Sequence, residues 1–193
     1  MLRFLLRLIL LVLVLGVAGA IALGWAWQRY TGPGPLTEDR TVVIERGAGV
    51  NAIAQQLAKE GVLPDPWTLR VGVRLFGQGR SLKAGEYRFA AHITPQAVLD
   101  KLIQGDVVQR QVTIPEGLTS HQVVELLAMA DGLEGEVAAP PPEGSLLPET
   151  YAFTLGDGRD ALVQRMRASM DAVLAELWPK RAPELPLKTP EEA

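Results

Sequence analysis

The chain has 193 residues with 14 Pro, 19 Gly and no Cys, room for one ordinary domain or one domain with appendages. Lack of Cys excludes a disulfide framework, a thiolate nucleophile and a zinc ribbon; His92 and His121 alone cannot build a His-rich metal site, and a Ser-His-Asp triad would need one of them. A net charge of −3 argues against a broad nucleic-acid-binding face, and much of the 48% apolar content sits in the first 27 residues.

From Leu8 to Trp27 run 20 residues without a charge. As a helix this run covers roughly 30 Å, the thickness of a bilayer core. It is apolar all round, whereas a helix of a soluble domain keeps a polar face. Arg3, Arg7 and the terminal amine precede it; Arg29, Glu38 and Asp39 follow. The positive-inside bias then keeps the N-terminus cytoplasmic and sends the rest across. Trp25, Trp27 and Tyr30 fall where an outer aromatic belt belongs. A cleaved signal peptide is the alternative, since Ala18-Gly19-Ala20 fits a small-x-small site. The apolar run continues past that site to Trp27, longer than a usual signal core. Either reading puts residues 31–193 outside the cytoplasm. With Arg3 and Arg7 set aside, the 22 acidic side chains outnumber the remaining basic ones. That surface has no electrostatic pull toward anionic lipid, so the anchor alone is expected to account for attachment.

Residues 31–36 (TGPGPL) form a linker, with Gly and Pro against helix and central strand. Thr41–Ile44 reads as a strand and Gly47-Ala48-Gly49 as a turn. Val50–Lys59 places Val50, Ile53, Ala54, Leu57 and Ala58 at helical spacing. Gly61 stops that helix, and Asp65-Pro66 opens another toward Gly77, with Asp as N-cap and Pro at the first helical position. Glu86–Phe89 is a second strand. Strand, helix, helix, strand within about fifty residues is a small α+β unit. Thr94-Pro95 caps a helix bearing Val98, Leu99, Leu102 and Ile103 and ended by Gly105. Val107–Ile114 alternates as a strand, with Val108, Arg110, Val112 and Ile114 on one side. Pro115-Glu116-Gly117 turns into a helix opened by Thr119 or Ser120. There Glu116 is expected to bond the first helical amides.

Residues 42–58 align with residues 112–128 at an offset of 70, Gly47 on Gly117 and Leu57 on Leu127. Both stretches read strand, Gly turn, amphipathic helix, a pattern two unrelated units can also share. Residues 131–142, rich in Gly, Glu and Pro, read as loop. Asp157–Trp178 is a long amphipathic helix, ended by Pro179 and followed by a Pro-broken stretch. Nothing after it buries its apolar face. Either the chain is cut short or the helix folds back on the first domain. Gly47-Ala48-Gly49 before a helix lacks the further Gly and Lys of a phosphate loop, so it reads as a tight turn. His121 has no partner at metal-ligand spacing.

The order of these motifs resembles the YceG-like endolytic murein transglycosylases (MltG family) of bacterial inner membranes. The resemblance rests on the N-terminal span, the stretch from Val42 to Leu63, and KAGEYRF at 83–89. VTIPEG at 112–117 and EGSLLPETYAF at 143–153 are the most specific parts, although Asp is usual where this chain has Glu149. It implies an α+β fold in five parts: a cytoplasmic tail 1–7, an anchor 8–27, a linker 28–40, a LysM-like subdomain 41–104, and the N-terminal part of a transglycosylase domain, 105–193. It implies cleavage of MurNAc-β-1,4-GlcNAc bonds within nascent glycan strands, leaving 1,6-anhydro-MurNAc ends. One Glu protonates the leaving oxygen and then serves as base while the muramoyl 6-hydroxyl closes the ring, so a second carboxylate is not required. The family's Glu lies on a helix after the segment matching residues 185–193, so no catalytic residue is expected before Ala193. Glu143, Gly144 and Tyr151 are the candidates for contact with sugar. Glu143 follows three Pro and can project into a cleft, or stand as a solvated or helix-capping carboxylate; Tyr151 and Phe153 can stack on a pyranose or belong to the core. Expected partners are peptidoglycan glycan strands, the cell-wall synthesis machinery and the membrane, without cofactor, metal or nucleic acid. The alternative is an anchored, non-catalytic glycan-binding or scaffold protein.

Overall fold

The computed structural model describes residues 2–76, 82–182, 184, 186–187 and 189–192. Gly77, the expected end of the second soluble helix, lies outside them. Helix and strand are mixed in an α+β arrangement of two compact units, Met1–Val107 and Val108–Ala193.

Helix α1 (Leu2–Thr31) opens the first unit, and its Ile9–Thr31 stretch is long and apolar enough to cross a membrane. The helix runs four residues past Trp27, into the segment expected to be linker. The chain beyond it is pinned. Gly34 N–H bonds the carbonyl of Ile93 at 3.1 Å, His92 N–H bonds that of Leu36 at 2.9 Å, and Leu36 is buried. A Cβ on Gly34 would stand 2.2 Å from the Ile93 carbonyl oxygen, so only glycine allows this approach.

β1 (Arg40–Ile44) and β2 (Gly85–Phe89) form an antiparallel ribbon, with Val42 opposite Tyr87 and Ile44 opposite Gly85. β-branched residues suit the pleat, and period two sends Val42, Ile44, Tyr87 and Phe89 inward. Between the strands come α2 (Val50–Lys59) and α3 (Pro66–Phe76), and after them α4 (Pro95–Gln104). Asp65 caps α3, its carboxylate accepting the Thr68 amide at 3.0 Å, and Thr94 caps α4 with Pro95 at its start. Ile53, Leu57, Leu69, Leu99 and Leu102 close the core against the ribbon, each at most 2% exposed.

The second unit repeats the opening of the first. β3 (Arg110–Thr113) pairs antiparallel with a later strand, here β5 (Thr150–Phe153), with Val112 opposite Tyr151. Gly47 and Gly117 start the two turns at φ +81° and +83°, where a side chain would be strained. α5 (Ser120–Met129) occupies the place of α2. Tyr87 donates its hydroxyl to the Lys83 carbonyl, and Tyr151 donates to that of Leu147, both at 2.8 Å and both four residues back. The echo in the sequence is thus a structural repeat that includes the returning Tyr-x-Phe strand.

β3 is shorter than the alternation of residues 107–114 suggested. Val107 instead packs against the first core, in van der Waals reach of Gly85. β4 (Leu133–Glu134), inside the stretch expected to be loop, and β6 (Asp157–Gly158), where the long helix was expected to begin, form a two-residue parallel ladder. α6 (Arg159–Leu177) buries Leu162, Val163 and Met166 in the core of its own unit, beside Val112, Leu127 and Phe153.

Candidate functional site

Three successive prolines stiffen residues 140–142 and deliver Glu143 to the first turn of α5. There the Glu143 carboxylate accepts the Ser120 backbone N–H at 2.9 Å. The first amides of a helix lack intrahelical partners and carry a partial positive charge, so a carboxylate is favoured there. Ser120 is buried, and its hydroxyl donates to the Pro142 carbonyl at 3.1 Å; the Ser145 hydroxyl donates to the same oxygen at 2.7 Å. Thr119 and Gln122 complete a capping box on the same helix. Glu116 does not bond these amides as expected. Among the described residues it has no hydrogen-bond partner, because Thr119 and Glu143 hold the helix start.

Glu143 remains exposed despite that bond. With Pro142, Gly144 and Ser145 it forms one side of a cleft of about 500 Å³, faced by Arg167 and Asp171 of α6. Gly144 sits at φ +74°, which turns the chain sharply beside Glu143. Glu143 and Gly144 therefore stand together at one cleft edge, with the Asp171 carboxylate and the Arg167 side chain of α6 on the facing wall.

Tyr151 is elsewhere. It is a core residue, 7% exposed, in the same cluster as Phe153, Leu162 and Met166. Burial pushes its phenol above the ordinary tyrosine range, with the nearby Glu149 carboxylate adding to that and the Ser169 and Arg165 side chains opposing it. A ring held in that way offers no face for stacking on a sugar. Its role in this geometry is to fix β5 and, through its bond to Leu147, the loop carrying Glu143.

Arg159 has no place in the sequence reading. It donates to the carbonyls of Leu127 at 2.8 Å, Ala128 at 3.2 Å and Gly135 at 2.6 Å, closing the C-terminal end of α5. The signal was indirect: α5 has no basic residue in its last turn and no glycine cap. His121 stands 3.6 Å from Glu125 on the exposed face of α5.

An α+β protein with a membrane-length helix and a cleft edged by the start of the EGSLLPETYAF segment is the class these features define. The YceG-like family model matches residues 42–193, and the chain belongs to that family. Among solved structures it is similar to a YceG-like protein of Listeria monocytogenes, known at 2.6 Å, with 20% identity and a TM-score of 0.40. The alignment covers 74% of this chain and 57% of the Listeria chain. A search of curated proteins gives no match.

Proposed function

We propose that the chain forms part of a membrane-anchored endolytic peptidoglycan lytic transglycosylase acting in cell-wall assembly. The observation that carries this reading is the family match over residues 42–193, in a family generally of murein transglycosylases. In this reading α1 holds the protein in the bacterial inner membrane with the N-terminus in the cytoplasm and the rest in the periplasm. The unit built on β1, α2, α3 and β2 is the LysM-like subdomain (residues 41–104) and binds the glycan strand. The unit from residue 105 onward supplies a wall of the catalytic cleft, with Glu143 and Gly144 at its edge.

The chemistry is cleavage of MurNAc-β-1,4-GlcNAc bonds without water. A glutamic acid protonates the leaving oxygen, and the same carboxylate then removes the proton of the muramoyl 6-hydroxyl as the anhydro ring closes. Glu143 is spoken for by Ser120, so it suits positioning of a strand better than proton transfer. The acid/base glutamate of the family has no counterpart within residues 1–193, and this stretch is expected to bind glycan without cleaving it.

A second reading, an anchored glycan-binding scaffold, draws on that same Glu143–Ser120 bond, which leaves the cleft carboxylate structurally committed. The test incubates the chain, held in lipid nanodiscs, with purified glycan strands. Strands should co-sediment with the discs, and mass spectrometry should find no new anhydro ends. Anhydro ends that vanish in Glu143→Gln would place catalysis on Glu143. Absence of both binding and cleavage would defeat both readings.

A further inference from the structure

Helix α3 has an apolar stripe that its own unit does not cover. Trp67, Val71 and Leu75 recur at four-residue steps and are 39%, 39% and 63% exposed; Phe76 beside them is 47% exposed. The opposite side of α3 is core, with Thr68, Leu69 and Gly72 buried. The stripe is continuous with the end of α1. Phe76 stacks on Tyr30 at 5.4 Å between ring centroids and meets Trp27 edge-on at 6.4 Å. Arg29 pairs with Asp65 at 3.3 Å, and a Cβ on Gly72 would come within 2.9 Å of the Tyr30 ring. Leu23, Ala26 and Trp27 of α1 line one almost wholly apolar groove, of about 120 Å³, with Val71, Leu75 and Phe76.

Depth decides what covers this groove. Counted from Ile9 at about 1.5 Å per residue, Leu23 stands about 21 Å into a hydrocarbon core of about 30 Å. Leu23 and Ala26 are then still within the acyl region of an upright helix, and Trp27 and Tyr30 lie at its outer edge. A groove with that wall opens onto lipid, not water. Arg70 and Arg74 are exposed on the neighbouring strip of α3, and neither forms a salt bridge among the described residues. Apolar residues flanked by arginines fit the boundary of acyl chains and phosphates.

We propose that α3 is an interfacial membrane helix, its Trp67–Val71–Leu75–Phe76 stripe seated in the outer leaflet of the same bilayer that α1 spans. This rests on the reading of α1 as a membrane span. Attachment is then not the work of the anchor alone. The first unit is held flat to the lipid surface by a second contact, which fixes its height above the membrane.

The experiment uses the full chain in phosphatidylcholine vesicles containing brominated lipid. Trp25→Phe, Trp27→Phe and Trp178→Phe together leave Trp67 as the only tryptophan. Its emission should be lost to bromines near the headgroup end of the acyl chains and much less to bromines at the bilayer centre. Leu75→Glu on that background should restore emission, and Leu75 is exposed enough that the fold tolerates the change. A companion chain keeping only Trp25 reports insertion of α1. Quenching of Trp25 without quenching of Trp67 overturns the proposal and leaves the span intact. Quenching of neither overturns both. A Trp67 shielded from aqueous iodide yet untouched by bromolipid would mean that protein, such as a second copy of the chain, covers the stripe, and would also overturn the proposal.

Discussion

Glu143 and Ser120 meet across 23 residues of chain, the carboxylate of one accepting the backbone N–H of the other at 2.9 Å. The contact closes the EGSLLPETYAF segment onto the helix that follows IPEG. It also gives the most tempting carboxylate of the cleft a structural duty.

The first prediction follows from that duty. Glu143→Ala leaves the Ser120 amide without its acceptor and should cost about 0.5–2 kcal/mol, the usual worth of a helix N-terminal cap. Glu143→Gln keeps an acceptor oxygen and should cost less. Urea denaturation of the two variants measures the difference. Equal losses would show that charge at the helix end, not the hydrogen bond, is what Glu143 supplies; no loss in Glu143→Ala would remove the cap altogether.

Leu57 tests the first unit. It is fully buried on α2, beneath the β1–β2 ribbon. Leu57→Asp puts an unpaired charge there and should destabilise the unit by several kcal/mol, at least the roughly 2–5 kcal/mol expected for Leu57→Ala. The thermal midpoint of the unit reads this out. A midpoint unmoved by Leu57→Asp would mean that α2 does not pack as described.

The paired tyrosines should behave alike in alkali. Burial, with Asp106 nearby, pushes the Tyr87 phenol above the ordinary range, as burial does for Tyr151. Both folded values lie above the unfolded value of about 10. The stability they contribute is therefore complete below about pH 10 and is lost as pH rises through the folded values. Tyr87→Phe or Tyr151→Phe should each cost about 0.5–1.5 kcal/mol near neutrality, through the lost bond to a carbonyl. That gap from the parent chain should narrow as the solution becomes strongly alkaline. Urea midpoints across pH decide it, and a gap independent of pH would show that the hydroxyls are not what burial perturbs.

Much of this architecture is legible before any coordinates. Asp65-Pro66 and Thr94-Pro95 announce their helices because a capping oxygen and a fixed proline φ act within a single turn. The alternation of Thr41–Ile44, and of Arg110–Thr113 within the longer stretch 107–114, shows which side chains face inward, because period two is a property of the strand itself. The offset of 70 between the two strand-turn-helix stretches likewise rests on neighbours a few residues apart. So does the apolar run from Leu8 to Trp27.

The candidate site was less legible. Glu143 and Gly144 do share one cleft edge, yet nothing near Glu143 in the chain says that Ser120 will claim its carboxylate. Tyr151 in its apolar run reads as core more readily than as a stacking platform, and pairing with Val112 in the β3–β5 ribbon puts it inside. Arg159 reaches the end of α5 only because the β4–β6 ladder draws two distant loops together.

By itself, then, the sequence determined the main helices and strands, the caps of α3 and α4, the repeat and the family, since each depends on interactions within a turn or a strand. Only the tertiary structure decided that Glu143 caps a helix, that Tyr151 is buried, and that α3 turns its tryptophan stripe toward the end of α1. Each of those depends on chain segments more than twenty residues apart meeting in space, and helical or strand periodicity carries no record of which segments will meet.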